Sequence, residues 1–258
     1  MSDTYERERC ARGEGERTGD RPPPVVLVHG IWDDARRIEP LRAGLLARGV
    51  CSPVVAELRP NDGSAPIADL AMGLDARLRD IAREQATERV DVVGFSMGAL
   101  VTRYVVQRLG GKTLIRRFVS VSGPHAGTHM AWALPLRGAR DMRPGSELLR
   151  SLAADPDPWG PVEVHVLYTP FDLMIVPPRS SRVAGARSET VLNVALHRWM
   201  ITDARALDAI NRERREVEGG MRELAERAVE QLLANLGEPP AALALFDDGV
   251  EPEEPHEC

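Results

Sequence analysis

The segment 94–98 reads GFSMG and places a serine hydroxyl between two glycines at the spacing G-x-S-x-G. It directly follows the short strand-like stretch 90–93 (VDVV), and a helix-like stretch comes after it. A serine on a sharp strand-to-helix turn exposes its Oγ above the sheet, and glycines at its flanks avoid clashes in the strained backbone. The pattern predicts Ser96 as a nucleophile, with Gly94 and Gly98 as the flanks of a nucleophile elbow.

A serine hydroxyl is a weak nucleophile and needs a base, most often histidine. On sheets with this kind of turn, the partners follow in the chain order serine, acid, histidine. His197 comes directly after the apolar run 191–196, which we expect to be the last strand, at the carboxyl end where active sites of parallel sheets lie. We therefore predict His197 as the base. The other histidines lie in predicted strands, in a long connection or near the chain end: His29, His165, His125, His129 and His256.

An acid is needed to orient the imidazole of the base and to stabilise its protonated form. Asp172 follows the expected strand 162–167 after a short turn, so its carboxylate belongs to the same edge of the sheet. Asp155 and Asp157 precede that strand, whereas Asp203 better fits the start of the next helix. We therefore predict Asp172 as the acid.

The loop after the first expected strand, 25–29, supplies the second part of an oxyanion hole in sheets of this kind. The backbone N–H groups of Ile31 and Met97 are the predicted donors to a developing oxyanion. Trp32 follows in the same loop and is a candidate for lining the substrate pocket. His29 is expected to support this loop rather than to react.

Strand-like and helix-like segments alternate along the chain, which predicts an α/β fold with a mostly parallel sheet flanked by helices. Continuous apolar runs are typical of strands that are buried on both faces. The expected strands are 25–29, 51–58, 90–93, 117–121, 162–167 and 191–196. The expected helices are 36–48, 67–84, 99–109 and 202–236.

The connection 124–161 interrupts this alternation because it is long, contains several prolines and glycines, and has no strand-like run. Long connections in compact α/β domains are usually functional or disordered. Its apolar side chains argue against disorder. We predict a lid or cap over the site, with Trp132, Leu134 or Leu136 facing the substrate pocket.

The composition indicates how the 258 residues divide into a domain and two terminal segments. Residues 1–22 have almost nothing to bury and are expected to form a disordered arm. Residues 23–236 are expected to form one α/β-hydrolase domain that includes the lid, and 237–258 an acidic tail. The formal net charge of −6 and the dispersed arginines do not suggest a nucleic-acid surface.

Three cysteines at positions 10, 51 and 258 are too few and too scattered for a disulfide framework, and they suit a reducing compartment. The first residues lack the apolar core of a secretory signal, and no stretch approaches the roughly 18 apolar residues of a transmembrane helix. We expect a cytoplasmic protein. No metal-ligand spacing or phosphate-binding glycine loop is present in the sequence, so neither a metal nor a cofactor is expected.

Six segments, taken together and in this order, resemble the landmarks of bacterial triacylglycerol lipases and related esterases of the α/β-hydrolase superfamily. They are VVLVHGIWDD, VDVVGFSMGALVTRYVV, VSGPHAGTHMAWAL, DMRPGSELLRSL, FDLMIVPP and ALHRWMITD, between about residues 24 and 204. The resemblance implies that Ser96, Asp172 and His197 are nucleophile, acid and base, and that Ile31 and Met97 are oxyanion donors. It also implies that 124–161 is a small lid.

These expectations combine into a carboxylic ester hydrolase that acts through an acyl-enzyme, with a small-molecule ester or a lipid, such as an acylglycerol, as substrate. An amidase, a thioesterase or an acyltransferase would use the same three residues. A binding protein that keeps a hydrolase fold without turnover is the alternative from another class. The sequence leaves the oligomeric state open.

Overall fold

The computed structural model describes residues 22–214, which form a parallel sheet with helices on both faces. The six strands are β1 (Val25–Val28), β2 (Val54–Ala56), β3 (Val90–Phe95), β4 (Ile115–Val121), β5 (Glu163–Tyr168) and β6 (Ser188–Val191). They lie in the order β2-β1-β3-β4-β5-β6, and every neighbouring pair is parallel. The predicted α/β-hydrolase fold is confirmed.

Helices connect the strands and cover the sheet. They are α1 (Ala35–Leu46), α2 (Ile67–Glu84), α3 (Met97–Arg108), the short α4 (Gly111–Leu114), α5 (Arg137–Asp141), α6 (Glu147–Ala153) and α7 (204–214). Among the described residues, three 3₁₀ segments lie within the longer connections: His129–Ala133, Pro178–Ser181 and His197–Ile201. Asp34 begins α1, since its side chain accepts a hydrogen bond from the N–H of Arg37 at 2.8 Å.

The sheet is buried on both faces because its strands are apolar at successive positions. On one face, Val26 of β1 belongs to the same core cluster as Leu74 of α2. On the other face, Leu27 shares a cluster with Leu41 of α1 and Ile210 of α7. This two-sided burial explains why the strands have continuous apolar runs rather than alternating ones.

The expected last strand, 191–196, is wrong in its bounds. The strand β6 already ends at Val191. The N–H of Leu192 still donates to the carbonyl of Tyr168 at 2.9 Å, but that of Val194 donates to the carbonyl of Leu192 at 2.9 Å. This three-residue turn takes the chain out of the ladder, and an edge strand with one neighbour loses few bonds by ending there. His197 therefore follows a loop.

The other expected elements differ from the structure mainly at their ends. The expected strand 51–58 shortens to β2, and the expected strand 90–93 extends to Phe95. The connection 124–161 has no strand, as expected, but it contains α5 and α6. Of the expected helix 202–236, residues 204–214 are helical. The remainder of that helix, the tail 237–258 and all but residue 22 of the expected arm lie outside the described residues.

Two further findings concern the cysteines and possible membrane spans. Cys51 is disulfide-bonded, which the three scattered cysteines did not predict. No helix between residues 22 and 214 has both the length and the apolar character that a membrane crossing requires.

Candidate active site

Ser96 lies at the turn between β3 and α3 with backbone angles φ 53° and ψ −123°, a conformation that side chains rarely adopt. The glycines on either side make this turn possible. A Cβ added to Gly98 would overlap the carbonyl oxygens of His29 and Val28, and one added to Gly94 would lie 2.8 Å from Cα of Ala99. The 94–98 segment therefore has the geometry of a nucleophile elbow.

Ser96 lies at the edge of the sheet where the strands end. Its backbone N–H donates to the carbonyl of Val121 at 2.9 Å, so the turn is tied to the end of β4. A Cβ added to Gly30 would lie 3.0 Å from Cβ of Ser96, so the loop after β1 passes directly beside the serine. The residue is 8% exposed, so most of it is buried.

His197 and Asp172 meet although they lie on different loops. Nδ1 of His197 donates to Oδ2 of Asp172 at 2.7 Å. The other carboxylate oxygen accepts from the N–H groups of Met174 at 2.8 Å and Ile175 at 2.9 Å. The buried Asp172 is thus fixed by its own loop, and its bond to Nδ1 places the imidazole proton there and leaves Nε2 free to accept one.

The imidazole of His197 packs against Phe95, the residue before the candidate nucleophile. The two ring centroids are 4.8 Å apart with an interplanar angle of 34°. Within residues 22–214, no hydrogen bond engages Oγ of Ser96, so its bond to Nε2 is not formed in this structure. Hydrogen bonds of this kind are commonly long in the absence of substrate and tighten when substrate binds.

The predicted oxyanion donors both have unengaged N–H groups. No acceptor among the described residues lies at the N–H of Ile31 or of Met97, whereas the next residue, Trp32, donates to the carbonyl of Asn61 at 2.8 Å. Met97 is the first residue of α3, where N–H groups have no partner within the helix and the helix dipole favours negative charge. The two positions therefore suit an oxyanion hole.

The other described histidines have structural surroundings. Both ring nitrogens of His29 are bonded: Nε2 accepts from the N–H of Leu58 at 3.0 Å, and Nδ1 donates to the carbonyl of Gly30 at 2.9 Å. This supports the loop after β1, as predicted. His129 lies in the lid segment and its backbone N–H donates to the carbonyl of Val176 at 2.9 Å.

A second serine–histidine pair lies in the core. Nε2 of His125 is 2.7 Å from Oγ of Ser120, but both residues are buried. Burial is also the main reason why the pKa of His125 falls well below its ordinary value, with the positive charge of Arg103 adding to the effect. This pair has no access to substrate, so its geometry alone does not make it a second site.

The segment 124–161 lies at the same edge of the sheet as Ser96. Thr128 Oγ1 donates to the carbonyl of Met174 at 2.7 Å, two residues from Asp172. Further along, the N–H of Gly138 donates to the carbonyl of Gly63 in the loop after β2 at 2.9 Å. The segment thus reaches from the acid's loop to the loop after β2, and its role as a lid stays a prediction.

Apolar side chains are exposed around this edge. Trp132 is 59% exposed and lies under the guanidinium of Arg143, whose Cζ is 4.4 Å from the ring centroid. Leu134 and Leu136 are half-buried. Other large apolar side chains that are exposed in the loops of this edge are Trp32, Met130, Phe171, Leu173, Leu196 and Trp199. We call these exposed side chains the collar; together they form a surface that is suited to contact with an apolar substrate.

Two cavities lined by described residues flank the site without including it. One of about 590 Å³ is lined by residues that include His129 of the 124–161 segment, Arg179 of the Pro178–Ser181 segment and Glu189 of β6. The other, of about 470 Å³, lies beside the loop after β1 and includes Asp33 and Asn61. Neither is lined by Ser96, nor by the tryptophan and leucines predicted to face a pocket, so that role stays a prediction.

One residue of the site was not anticipated from the sequence. Arg198 follows the candidate base and donates to Oδ1 of Asp33 at 2.8 Å and to the carbonyl of Arg37 at 2.9 Å. No sequence motif could have revealed this pair, since Arg198 and Asp33 are 165 positions apart. The only signal in the sequence is the position of each beside a predicted site residue.

Solved structures share the fold at low sequence identity. Lipase B of Aspergillus fumigatus matches with a TM-score of 0.63 and 16% identity, over 76% of this chain and 53% of the lipase. The chain thus spans about half the length of that lipase. The mature lipase BlEst2 of Bacillus licheniformis has a TM-score of 0.58 and 14% identity, over 71% of this chain and 89% of that one.

A monoacylglycerol lipase of Paleococcus ferrophilus has a TM-score of 0.51 and 15% identity, over 74% of this chain and 96% of that one. The resemblance to lipases and esterases of the α/β-hydrolase superfamily is thereby confirmed at the level of the fold. A search of curated proteins found no match.

A family model matches more directly. The model of palmitoyl protein thioesterases covers residues 24–153, about half of the chain. The matched part contains the elbow with Ser96 and the loop with Ile31, and it ends within α6 before the strand that precedes Asp172. The chain belongs to the palmitoyl protein thioesterase family.

Proposed function

We propose that the protein hydrolyses esters of fatty acyl chains through an acyl-enzyme on Ser96, with His197 as base and Asp172 as the orienting acid. The observation that carries this proposal is the meeting of three separate segments at one edge of the sheet. The strained elbow presents the serine, and the 2.7 Å bond between His197 and Asp172 leaves Nε2 as the free nitrogen. This is the arrangement of roles that nucleophilic catalysis by serine needs.

In the first half-reaction, Oγ of Ser96 attacks the acyl carbonyl carbon while its proton passes to Nε2 of His197. The electron pair of the carbonyl π-bond moves to the oxygen, which becomes an oxyanion. The N–H groups of Ile31 and Met97 are the proposed hydrogen-bond donors to it. The tetrahedral intermediate then collapses and the bond to the leaving group breaks. The leaving alkoxide takes the proton from Nε2 and departs as an alcohol.

In the second half-reaction, a water molecule replaces the alcohol. It gives a proton to Nε2 of His197 as its oxygen attacks the acyl carbon, and the same donors hold the new oxyanion. Collapse breaks the bond to Oγ, the proton returns to Ser96, and a fatty acid is released. Asp172 remains ionised throughout and stabilises the imidazolium that forms in each half-reaction.

The collar of exposed apolar side chains supports a lipid-like substrate. Phe171 and Leu173 flank the acid, and Trp132 projects from the lid segment; all three are exposed. A substrate with a long acyl chain would bury part of this surface, whereas a small polar ester would not. Burial of apolar area contributes roughly 25 cal/mol per Å² to binding.

A thioester is the second candidate bond, and the family match favours it. The same acyl-enzyme would form, and only the leaving group would change from an alcohol to a thiol. Amidase or acyltransferase activity would need the same triad but has no further observation in its favour. A binding protein without turnover is disfavoured because the elbow and the His197–Asp172 pair are both intact.

The test compares one acyl chain carried on two leaving groups. We expect the wild-type protein to hydrolyse a palmitoyl oxyester and a palmitoyl thioester, each with a burst of leaving group before steady state. A fluorophosphonate probe should label Ser96 in the same preparation. Turnover of only one ester type assigns the bond, whereas no turnover of either together with no labelling contradicts the proposal.

A further inference from the structure

We infer that Arg198 is a positioning residue that holds the loop of the base against the loop of the oxyanion donor, through one hydrogen bond to the carboxylate of Asp33 and one to the backbone carbonyl of Arg37. This inference rests on the proposed function, because it assigns Arg198 a role only if His197 and Ile31 act as proposed. Arg198 is not expected to touch substrate or the reacting atoms.

The base needs an anchor of this kind because its chain leaves the sheet far from the nucleophile. Strand β6 lies at the edge of the sheet, and β4 and β5 separate it from β3, which carries Ser96. Between Val191 and His197 the chain crosses this edge without a strand partner. The carbonyl of Val194 accepts from Oγ1 of Thr169 at 2.6 Å, which ties the crossing to the acid's loop but not to the loop of Ile31.

The guanidinium of Arg198 supplies the missing connection. Its Nη1 donates to Oδ1 of Asp33 at 2.8 Å, and its Nη2 donates to the carbonyl of Arg37 in the first turn of α1 at 2.9 Å. Two bonds from one planar group fix both the distance and the angle between the segments, which a single bond would not. Asp33 is buried, so water solvates its carboxylate poorly and a positively charged partner is needed to stabilise it.

Asp33 in turn lies against the centre of the site. A Cβ added to Gly30 would lie 3.3 Å from Oδ2 of Asp33 and 3.0 Å from Cβ of Ser96. Gly30 therefore lies between Asp33 and Ser96, and its carbonyl accepts from the N–H of Asp33 at 3.4 Å. The residue before Arg198 is the base, and the residue after Gly30 is the proposed oxyanion donor.

Loss of this contact should affect the reaction more than substrate binding. Small misplacements of a catalytic group lower the rate of the chemical step, and about 1 Å can cost about 100-fold. Much of the collar, including Trp132, Phe171 and Leu173, lies on segments to which Arg198 makes no hydrogen bond among the described residues. The expected signature is therefore a lower kcat with little change in KM.

The test uses Arg198→Met, which keeps an unbranched apolar stem without the guanidinium, and Arg198→Lys, which can restore one of the two bonds. We expect Arg198→Met to lower kcat by about 10- to 100-fold with KM within about threefold of wild type, and Arg198→Lys to recover part of the loss. Arg205→Met is the matched control, since Arg205 pairs with Asp203 at 2.8 Å and has no contact with the 30–34 loop. Its kcat should stay within about twofold of wild type.

A double-mutant cycle and a pH profile separate positioning from other effects. If Arg198 acts through Asp33, then Asp33→Asn combined with Arg198→Met should be no worse than the more severe single variant. The Asp33→Asn Arg198→Met double variant removes one charge of each sign, so the acidic limb of its kcat/KM profile should keep the wild-type position. A shift of that limb in the double variant would mean a direct electrostatic effect and would overturn the inference.

The remaining outcomes are also decisive. Wild-type kcat in a folded Arg198→Met overturns the role of Arg198 while the proposed function stands. If thermal melts show that Arg198→Met is unfolded, wild-type kcat in both Arg198→Lys and Asp33→Asn overturns it instead. If the wild-type protein shows no turnover that depends on Ser96, the proposed function fails and this inference fails with it.

Discussion

Oδ2 of Asp172 lies 2.7 Å from Nδ1 of His197, although the two residues are 25 positions apart and belong to the loops after different strands. The contact forms because β5 and β6 are parallel neighbours whose carboxyl ends meet at one edge. The loop of the acid is held by its own N–H bonds, so the carboxylate can fix the direction of the imidazole.

Asp172→Asn should lower kcat by about 10³–10⁴-fold while the fold is retained. An amide at this position can donate to Nδ1, which moves the imidazole proton to Nε2 and removes the acceptor that Ser96 needs. The measurement is steady-state hydrolysis of a p-nitrophenyl ester.

Asp203→Asn is the matched control for this substitution. Asp203 is the carboxylate that follows His197 most closely in the chain, but it is bonded to Arg205, which is the main reason why its pKa is lowered to about 2. Its substitution should change kcat by less than about threefold. A larger loss in Asp203→Asn than in Asp172→Asn would contradict the assignment of the acid.

Trp132→Ala should lower kcat/KM for long acyl chains more than for short ones. The exposed indole offers apolar surface that only a long acyl chain can reach. Covering this surface on binding would contribute about 1–3 kcal/mol to the free energy of substrate binding. A p-nitrophenyl ester series of rising chain length measures the difference. Met72→Ala, an exposed apolar residue of α2, is the control and should leave the whole series unchanged. An equal loss at all chain lengths would remove Trp132 from the acyl site.

A buried cluster joins α7 to the edge of the sheet. The carboxylate of Glu213 accepts from Oγ of Ser188 at 2.8 Å and from Oγ1 of Thr190 at 3.1 Å, and it lies 3.0 Å from Nδ1 of His165. The hydrogen bond with His165 is the largest cause of a lowered pKa of Glu213, to about 2, against an ordinary value of 4.5. Burial opposes this shift but is outweighed by the three bonds.

Glu213→Gln should therefore reduce the free energy of unfolding by roughly 1–3 kcal/mol at neutral pH, and the difference should shrink in acid. A carboxylate whose pKa is lowered on folding stabilises the fold above its unfolded pKa. That contribution is lost as the pH falls from about 4.5 through about 2. Urea unfolding of both proteins between pH 7 and pH 3 measures the difference.

Asp208→Asn serves as the control on the same helix, because Asp208 is an exposed partner of Arg48. It should change the free energy of unfolding by less than about 1 kcal/mol. A Glu213→Gln difference that stays constant down to pH 3 would show that the carboxylate charge is not what holds α7 in place.

The features that could be predicted from the sequence are those that a short segment specifies. The elbow at Ser96 depends on an apolar run, two glycines and a following helix, all within about 20 residues. The edge of the sheet where Asp172 lies follows from the parallel order of the strands. His197 lies beside Asp172 even though the strand before it ends early, because the loop after the edge strand returns to the same edge of the sheet.

The remaining features depend on pairs that are distant in the chain. Nothing near Arg198 indicates that its partner is Asp33, and nothing near Glu213 indicates His165, since each pairing exists only once the helices have packed. The short helices α5 and α6 were missed because their apolar residues are few and prolines and glycines surround them. Their positions follow from contacts with other loops, such as the bond from Gly138 to Gly63.

Ser96→Ala tests the central claim most directly. The substitution removes one oxygen that has no hydrogen bond among the described residues, and alanine at φ 53° is strained no more than serine, so the melting temperature should stay within about 2 °C of wild type. Ester hydrolysis should fall by about 10⁴-fold or more, and fluorophosphonate labelling should disappear. A folded Ser96→Ala protein that keeps most of the wild-type activity would contradict the account, because the elbow would then be only a turn.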